Sequence, residues 1–333
     1  MLLDAALPPV SLTAVPEIAQ EAERLGFDRL WSSETMHDPF LPFTLAAEHT
    51  QKLKFGTAVA VSFARSPMTM AYTAWDLAQA SQGRFCLGLG TQVKAHIERR
   101  FGMSWPESPV TKLRDQVAAL RAIWGSWQTG EKLNFRSDTY KLTLMTPFFN
   151  PGPIKHPDIP IYIAGVNKGM ARLTGEVADG FLVHPFHSPE YLNTVILPEI
   201  EVGAKKAGRD KKSISIAVTA FVISNAEQKE IVRQQIAFYA STPSYRPVMA
   251  MHGWEEVAGR LSAAAARGNW MEMPGMITDE MLEVFAATAA AQELSAALKE
   301  RYAGTADRLS LYTPFPSGEG SGFWEKFVKA WLN

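Results

Sequence analysis

The chain of 333 residues has one cysteine, Cys86. That excludes an intrachain disulfide and any multi-cysteine zinc or iron–sulfur site. It lacks an excess of either charge: 33 Lys+Arg against 34 Asp+Glu leave a formal net charge of −1. A global basic field for gripping nucleic acid is thereby excluded, while a local phosphate site is not. Apolar runs are short, far below the roughly 20 residues that span a bilayer. The opening MLLDAALPPV has neither the basic start nor the long apolar run of a secretory signal. No H-x-x-x-H or paired-carboxylate spacing suggests a metal. These absences predict a cytoplasmic protein with no nucleic acid, membrane or metal partner. What is present is ample core material, 47% hydrophobic against 20% charged, in a length that suits one (β/α)8 domain spanning 1–333.

Short apolar runs alternate with amphipathic stretches along the chain. The pattern predicts strands at 2–7, 27–33, 54–62, 85–90, 161–165, 180–183, 214–223 and 308–312. Between them run helical segments, with Gly26 as one stop and Ser66-Pro67 as one start. Continuous apolar strands joined by helical crossovers imply a covered parallel sheet, and a count of eight favours a closed TIM barrel over an open doubly wound sheet. Two stretches exceed simple connections and are predicted as insertions. One is 91–159, after strand 4, with a helix near 110–127. The other is 225–306, between strands 7 and 8, read as mainly helical and Ala-rich near 286–298. A closing helix is predicted at 323–332.

In such a barrel, chemistry gathers at the C-terminal ends of the strands. Those ends carry Ser33-Glu34-Thr35-Met36-His37, Val59-Ala60-Val61-Ser62, Gly90-Thr91-Gln92, Gly165-Val166-Asn167, His184-Pro185-Phe186-His187 and Tyr312-Thr313. Gly165-Val166-Asn167-Lys168-Gly169 lies between a strand and a helix, where free N–H groups and the helix dipole favour a phosphate; a plain turn is the alternative. Lys168 either adds charge there or is a solvated first-turn lysine. Gly88-Leu-Gly-Thr-Gln-Val does not complete G-x-G-x-x-G, so a Rossmann reading is weak. Cys86, inside a strand, reads as a packing residue. Trp105, Trp127, Phe148, Phe149 and Tyr245 either wall an apolar pocket or form core under long loops.

Three segments resemble the luciferase-like flavin and deazaflavin oxidoreductases: G-T-A-V-A-V-S-F-A-R-S-P at 56–67, G-R-F-C-L-G-L-G-T-Q-V-K-A-H-I-E-R-R-F-G at 83–102, and I-Y-I-A-G-V-N-K-G-M-A-R-L-T-G-E-V-A-D-G at 161–180. The resemblance is greatest to the branch that uses coenzyme F420. It implies a bulged third strand with a non-prolyl cis peptide at Ala58–Val59, continuing to Ala60, as a support for an isoalloxazine-type ring. It implies a phosphate turn at Gly165–Gly169, and Ser33, Thr91, Gln92 and His96 beside the ring. Arg65, Lys94 or Arg99 would help hold an anionic tail, and a homodimer is implied as well.

The sequence also departs from the family pattern. Thr35 stands where related sugar-phosphate dehydrogenases have an acid/base histidine, and Val93 where they have a glutamate, so a glucose-6-phosphate substrate is disfavoured. Thr91 stands where bacterial luciferase α-chains carry an arginine that contacts FMN phosphate. Glu34, His37 and His184 are left as candidate proton donors; Glu34 is alternatively a structural carboxylate, and His37 and His96 alternatively surface residues. The expected activity is hydride transfer between F420 and a small organic molecule. An FMN-dependent monooxygenase with a flavin reductase partner is a second expectation. A non-catalytic flavin-binding barrel, suggested by Thr35, is a third.

Overall fold

Alternation along the strands sorts side chains into two shells, as a barrel requires. In a computed structural model describing residues 1–315 and 321–333, eight parallel strands close on themselves: β1 (Leu2–Ala6), β2 (Arg29–Ser32), β3 (Lys54–Thr57), β4 (Phe85–Gly90), β5 (Ile161–Gly165), β6 (Gly180–Val183), β7 (Ser215–Ile223) and β8 (Arg308–Leu311). Each pairs with its successor. The ring shuts where Leu2, Leu3 and Asp4 pair with Arg308, Leu309 and Ser310. The protein is an α/β (β/α)8 TIM barrel.

Leu3, Ala5, Leu30, Phe55, Leu87, Ile163, Phe181 and Leu309 face outward into one continuous core beneath the helices. Trp31, Cys86, Tyr162, Leu182 and Ala217 form a second, interior cluster. Beneath that cluster the barrel has a charged floor. Arg308 donates to both Asp4 oxygens at 2.7 and 2.8 Å and to Asp28, while Trp31 Nε1 donates to Asp4 at 2.8 Å. Arg29 lies against the rings of Trp31 and Tyr162, 4.9 and 5.4 Å from their centroids.

Local signals act as the sequence suggests in several places. Ser66 Oγ caps the helix Pro67–Ala80 by accepting from Thr69 N–H at 3.1 Å. Gly26, at φ 98°, ends Val15–Leu25. Two predicted elements differ. The third strand, expected to run through residue 62, stops at Thr57, resumes only as Ala60–Val61 beside Leu89 and Gly90, and turns at Ser62–Ala64. The Ala-rich segment near 286–298 is not continuously helical. Ala286–Thr288 is extended and pairs with Phe221–Ile223, because the overlong β7 offers it backbone partners that outweigh alanine's helix preference.

Between β4 and β5 the chain forms helices Lys94–Arg99 and Pro109–Thr129 and a small antiparallel pair, Phe135–Arg136 with Lys141–Leu142. Between β7 and β8 it forms helices including Ala226–Ala240, Glu255–Ala266 and Leu294–Arg301. The helix Ser321–Leu332 follows β8. No helix among the described residues is long and apolar enough to cross a membrane.

Candidate active site at the barrel mouth

Counting two residues up from each interior side chain gives the layer at the C-terminal rim. Trp31 leads to Ser33, Cys86 through Gly88 to Gly90, Tyr162 through Ala164 to Val166, and Leu182 to His184. Ser310 faces inward with Asp4 and Thr219, its register partners, and bonds Thr219 Oγ1 at 3.1 Å. Tyr312, two residues on, therefore also faces the mouth. The arc over β2–β4 is thus built of small side chains, and the arc over β6–β8 of His184, Phe221 and Tyr312.

The small arc is a shelf locked by polar contacts. The Ala58–Val59 peptide is cis. Ala58 N–H donates to Ser32 O at 2.7 Å, Ser33 Oγ donates to Ala58 O at 2.8 Å, and Glu34 N–H donates to Val59 O at 3.2 Å. The Glu34 carboxylate accepts from Val61 N–H at 2.6 Å and from Arg65 at 2.5 Å, and Arg65 also reaches Asp38 at 3.2 Å. Thr57 Oγ1 donates to Gly88 O at 2.7 Å and accepts from Gly88 N–H at 2.9 Å. A β-carbon on Gly88 would stand 1.8 Å from Thr57 O, and one on Gly90 2.5 Å from Val59 Cγ2. The alternating glycines of β4 are what allow the kinked segment to cross it.

The opposite arc is aromatic and polar. His184 Nδ1 accepts from Phe186 N–H at 3.1 Å, which leaves its proton on Nε2, 3.4 Å from Tyr245 Oη. Its ring lies 4.7 Å from those of Tyr239 and Tyr245. The hydroxyls of Tyr239 and Tyr312 are 2.5 Å apart. Burial, reinforced by neighbouring His187, pushes the His184 pKa down to about 3. Burial raises Tyr239 and Tyr312, and pushes Tyr245 up to about 12. At neutral pH this arc therefore holds uncharged proton donors. Burial thus moves His184 away from the near-neutral range its residue type suggests.

At β5, Asn167 precedes the helix Lys168–Val177, whose first internal bond is Ala171 N–H to Asn167 O at 3.2 Å. The amides of Lys168, Gly169 and Met170 lie ahead of that bond, in the orphan positions that suit an anion. Asn167 Nδ2 donates to Ser244 O at 3.0 Å, while its buried Oδ1 has no donor. A β-carbon on Gly165 would meet Met170 Cβ at 2.5 Å.

The structure brings together Ser33, Glu34, Ala58, Val59 and Ala60 at the shelf, with Thr91 and Gln92 just beyond β4. Gln92 takes φ 60° and accepts from Val93 N–H through its own Oε1. Gly165, Val166, Asn167, Lys168 and Gly169 form the adjoining turn. His37 and His96 are exposed, His96 on helix Lys94–Arg99. Lys94 approaches Glu98 at 3.8 Å. Trp127 is core, whereas Phe148 and Phe149 are exposed. Two mouth residues received no role from the sequence. Tyr312 was recognisable as a strand end. Tyr239 sits inside an ordinary amphipathic helix and carried no signal. Among the described residues, no group of three His, Cys, Asp or Glu is placed to hold a metal.

A (β/α)8 barrel with an interrupted third strand and a polar mouth defines a class of enzymes that bind their ligands at the strand ends. The chain belongs to the luciferase-like monooxygenase family, whose model matches residues 3–308. Its members are F420- or FMN-dependent oxidoreductases or monooxygenases, and this protein is an enzyme of that class. An uncharacterized protein of Mycobacterium tuberculosis is 44% identical over 313 residues, 92% of each chain. The 5,10-methylenetetrahydromethanopterin reductase of Methanolobus tindarius is 31% identical over 302 residues, 88% of each. Among solved structures, the coenzyme F420 dependent tetrahydromethanopterin reductase of Methanopyrus kandleri superposes with a TM-score of 0.80. It is 22% identical, and the match covers 99% of this chain and 98% of that one.

Proposed function

We propose that this protein is an F420-dependent oxidoreductase that moves a hydride between the deazaflavin and a small organic substrate. The observation that carries the reading is the pairing of a locked, small-residue shelf on β3–β4 with a donor-lined arc on β6–β8. That arrangement leaves a flat ring one face to rest on and one face to work from. Relatedness to an F420-dependent glucose-6-phosphate dehydrogenase of Nakamurella multipartita, 28% identical over 68% of this chain and 67% of that one, supports the deazaflavin.

The residues fit such a group. Ala58, Gly88, Gly90 and Ala164 present little bulk toward the interior. The buried, unpartnered Oδ1 of Asn167 suits a hydroxyl of a polyol phosphate chain, and the free amides of Lys168–Met170 suit its phosphate. Ala58–Ala60 and Ser33 would support the ring, and Thr91 and Gln92 would meet its polar edge. When bound, the deazaflavin supplies two-electron hydride chemistry. The chain orients the ring, excludes water and supplies or removes a proton. Glu34 acts here by holding the shelf through Val61 and Arg65, and the proton is assigned to the opposite arc.

Fluorescence titration of the purified protein with F420 and with FMN tests the reading. Saturable F420 binding with far weaker FMN binding is expected. Micromolar or tighter FMN binding without F420 binding overturns it in favour of a flavin monooxygenase.

A further inference from the structure

Four uncharged, proton-bearing groups on the mouth's β6–β8 arc take no part in holding the proposed cofactor. His184 follows β6, Tyr312 follows β8, Tyr239 lies in helix Ala226–Ala240, and Tyr245 ends the turn Pro243–Tyr245. Phe186 and Phe221 pack around them, with ring centroids 6.4 and 6.3 Å from that of Tyr239.

Two hydroxyls 2.5 Å apart hold two protons and need only one for the bond between them. When Tyr239 donates to Tyr312, the Tyr312 proton is free for an acceptor in the mouth. The same contact then steadies the charge left on Tyr312 Oη. Tyr312 is the member of the pair whose place, two residues above inward-facing Ser310, aims it at the mouth. Tyr239 comes to it from a helix of the β7–β8 segment.

We propose that Tyr312 is the catalytic proton donor to a carbonyl substrate, positioned by Tyr239, whose hydrogen bond stabilises the charge left on Tyr312. The substrate class is then a small, mostly apolar ketone or aldehyde, or the corresponding alcohol in reverse. The proposal rests on the oxidoreductase reading above.

The chemistry selects this class. Hydride addition to an iminium carbon cancels a positive charge and needs no proton. Hydride addition to a carbonyl carbon pushes the C–O π pair onto oxygen, which must be neutralised. In the reducing direction the carbonyl carbon receives the hydride from the reduced deazaflavin, which is thereby oxidised by two electrons. The carbonyl oxygen takes the Tyr312 proton, Tyr239 keeps its own and donates a hydrogen bond to the Tyr312 oxyanion, and Tyr312 regains a proton from solvent when product leaves. A cationic substrate would call for a carboxylate opposite it. The groups on this arc are phenols and a neutral imidazole, and Glu34, on the other arc, is already paired with Arg65.

The test uses the whole protein loaded with F420. With the oxidised cofactor in place, no turnover occurs, and isotope-edited infrared difference spectra report the C=O stretch of a bound, labelled cyclohexanone. The wild type is expected to lower that stretch relative to buffer, and Tyr312→Phe to abolish the shift. With reduced cofactor, ketone reduction should fall about 10²–10³-fold in Tyr312→Phe. It should fall about tenfold in Tyr239→Phe, which removes one donor from the pair. F420 affinity is expected to be unchanged in both variants. A wild-type rate and band in Tyr312→Phe overturns the proposal. So does a loaded wild type that neither binds nor reduces any member of a panel of small ketones and aldehydes. If Tyr312→Phe also loses F420, the Tyr239→Phe variant decides, and wild-type behaviour there overturns the pair. Failure of the wild type to bind F420 instead overturns the cofactor reading, and this inference with it.

Discussion

At Glu34 the residue type suggests a proton donor, whereas its neighbours support the shelf-holding role proposed for it. The carboxylate sits at a strand end, where an acid/base is expected, yet its side chain is only 8% exposed and its Oε2 takes both the Val61 amide and the Arg65 guanidinium. Replacing it with alanine strands the Val61 amide and leaves Arg65 only Asp38 as a carboxylate partner. The expected loss is about 1–3 kcal/mol of stability, read by urea denaturation, with weaker F420 binding measured in parallel. Behind the mouth, His187 is buried between His184 O at 2.8 Å and Tyr302 Oη at 3.1 Å. Burial lowers its pKa from 6.5 to about 4. The unfolded chain therefore takes up a proton in the range between those values that the folded chain refuses. The associated stability is full above about pH 6.5 and drains away as the pH falls toward 4. Between pH 7 and pH 5 that amounts to about 2 kcal/mol. Denaturation midpoints at the two values should show it, and His187→Gln should shrink the difference. None of this was legible from the sequence, because the identity of a histidine says nothing of how dry its surroundings are.

Among the elements, β4 carries the most information per residue. Its alternating glycines read from sequence only as a way of keeping the mouth open. In the structure they answer a crossing backbone. Gly88→Ala drives a methyl into Thr57 O and should cost about 3 kcal/mol or more, since backbone cannot step aside cheaply. Gly90→Ala meets the Val59 side chain, Cγ2 at 2.5 Å and Cβ at 3.2 Å, and should cost less, about 1–2 kcal/mol, because a side chain rather than backbone must yield. Chemical denaturation of the two variants checks the order. Strand positions were legible because buried parallel strands are short continuous apolar runs: β4, β5 and β6 lie where the pattern puts them. The break in β3 was not legible from periodicity. The segment keeps an apolar pattern to residue 61, and what meets it where its pairing ends is a set of donors and acceptors from Ser32, Ser33 and Glu34, at and just beyond the end of β2. The family resemblance located it where pattern could not. For the same reason Tyr239 escaped notice: its meaning comes from Tyr312, 73 residues away.

Across the whole molecule, closure depends on a clamp in the floor. Asp4 joins β1 to β8 through Arg308 and to β2 through Trp31, and Arg308 reaches on to Asp28, which also takes Lys54 at 3.1 Å. Asp4→Ala leaves a buried guanidinium and an indole N–H short of their acceptor. It should lower stability by about 3–5 kcal/mol in denaturant titrations, without touching the mouth.

The same plug has a kinetic corollary. With charge and aromatic rings stopping one end, the barrel is a cup rather than a tube, and everything it holds must pass a single rim. A molecule seated deep can neither arrive after nor depart before one stacked above it. Turnover should accordingly follow a compulsory last-in, first-out sequence, with the coenzyme loading first. A dead-end ketone analogue should then inhibit uncompetitively against the coenzyme, and random-order patterns would contradict the stack.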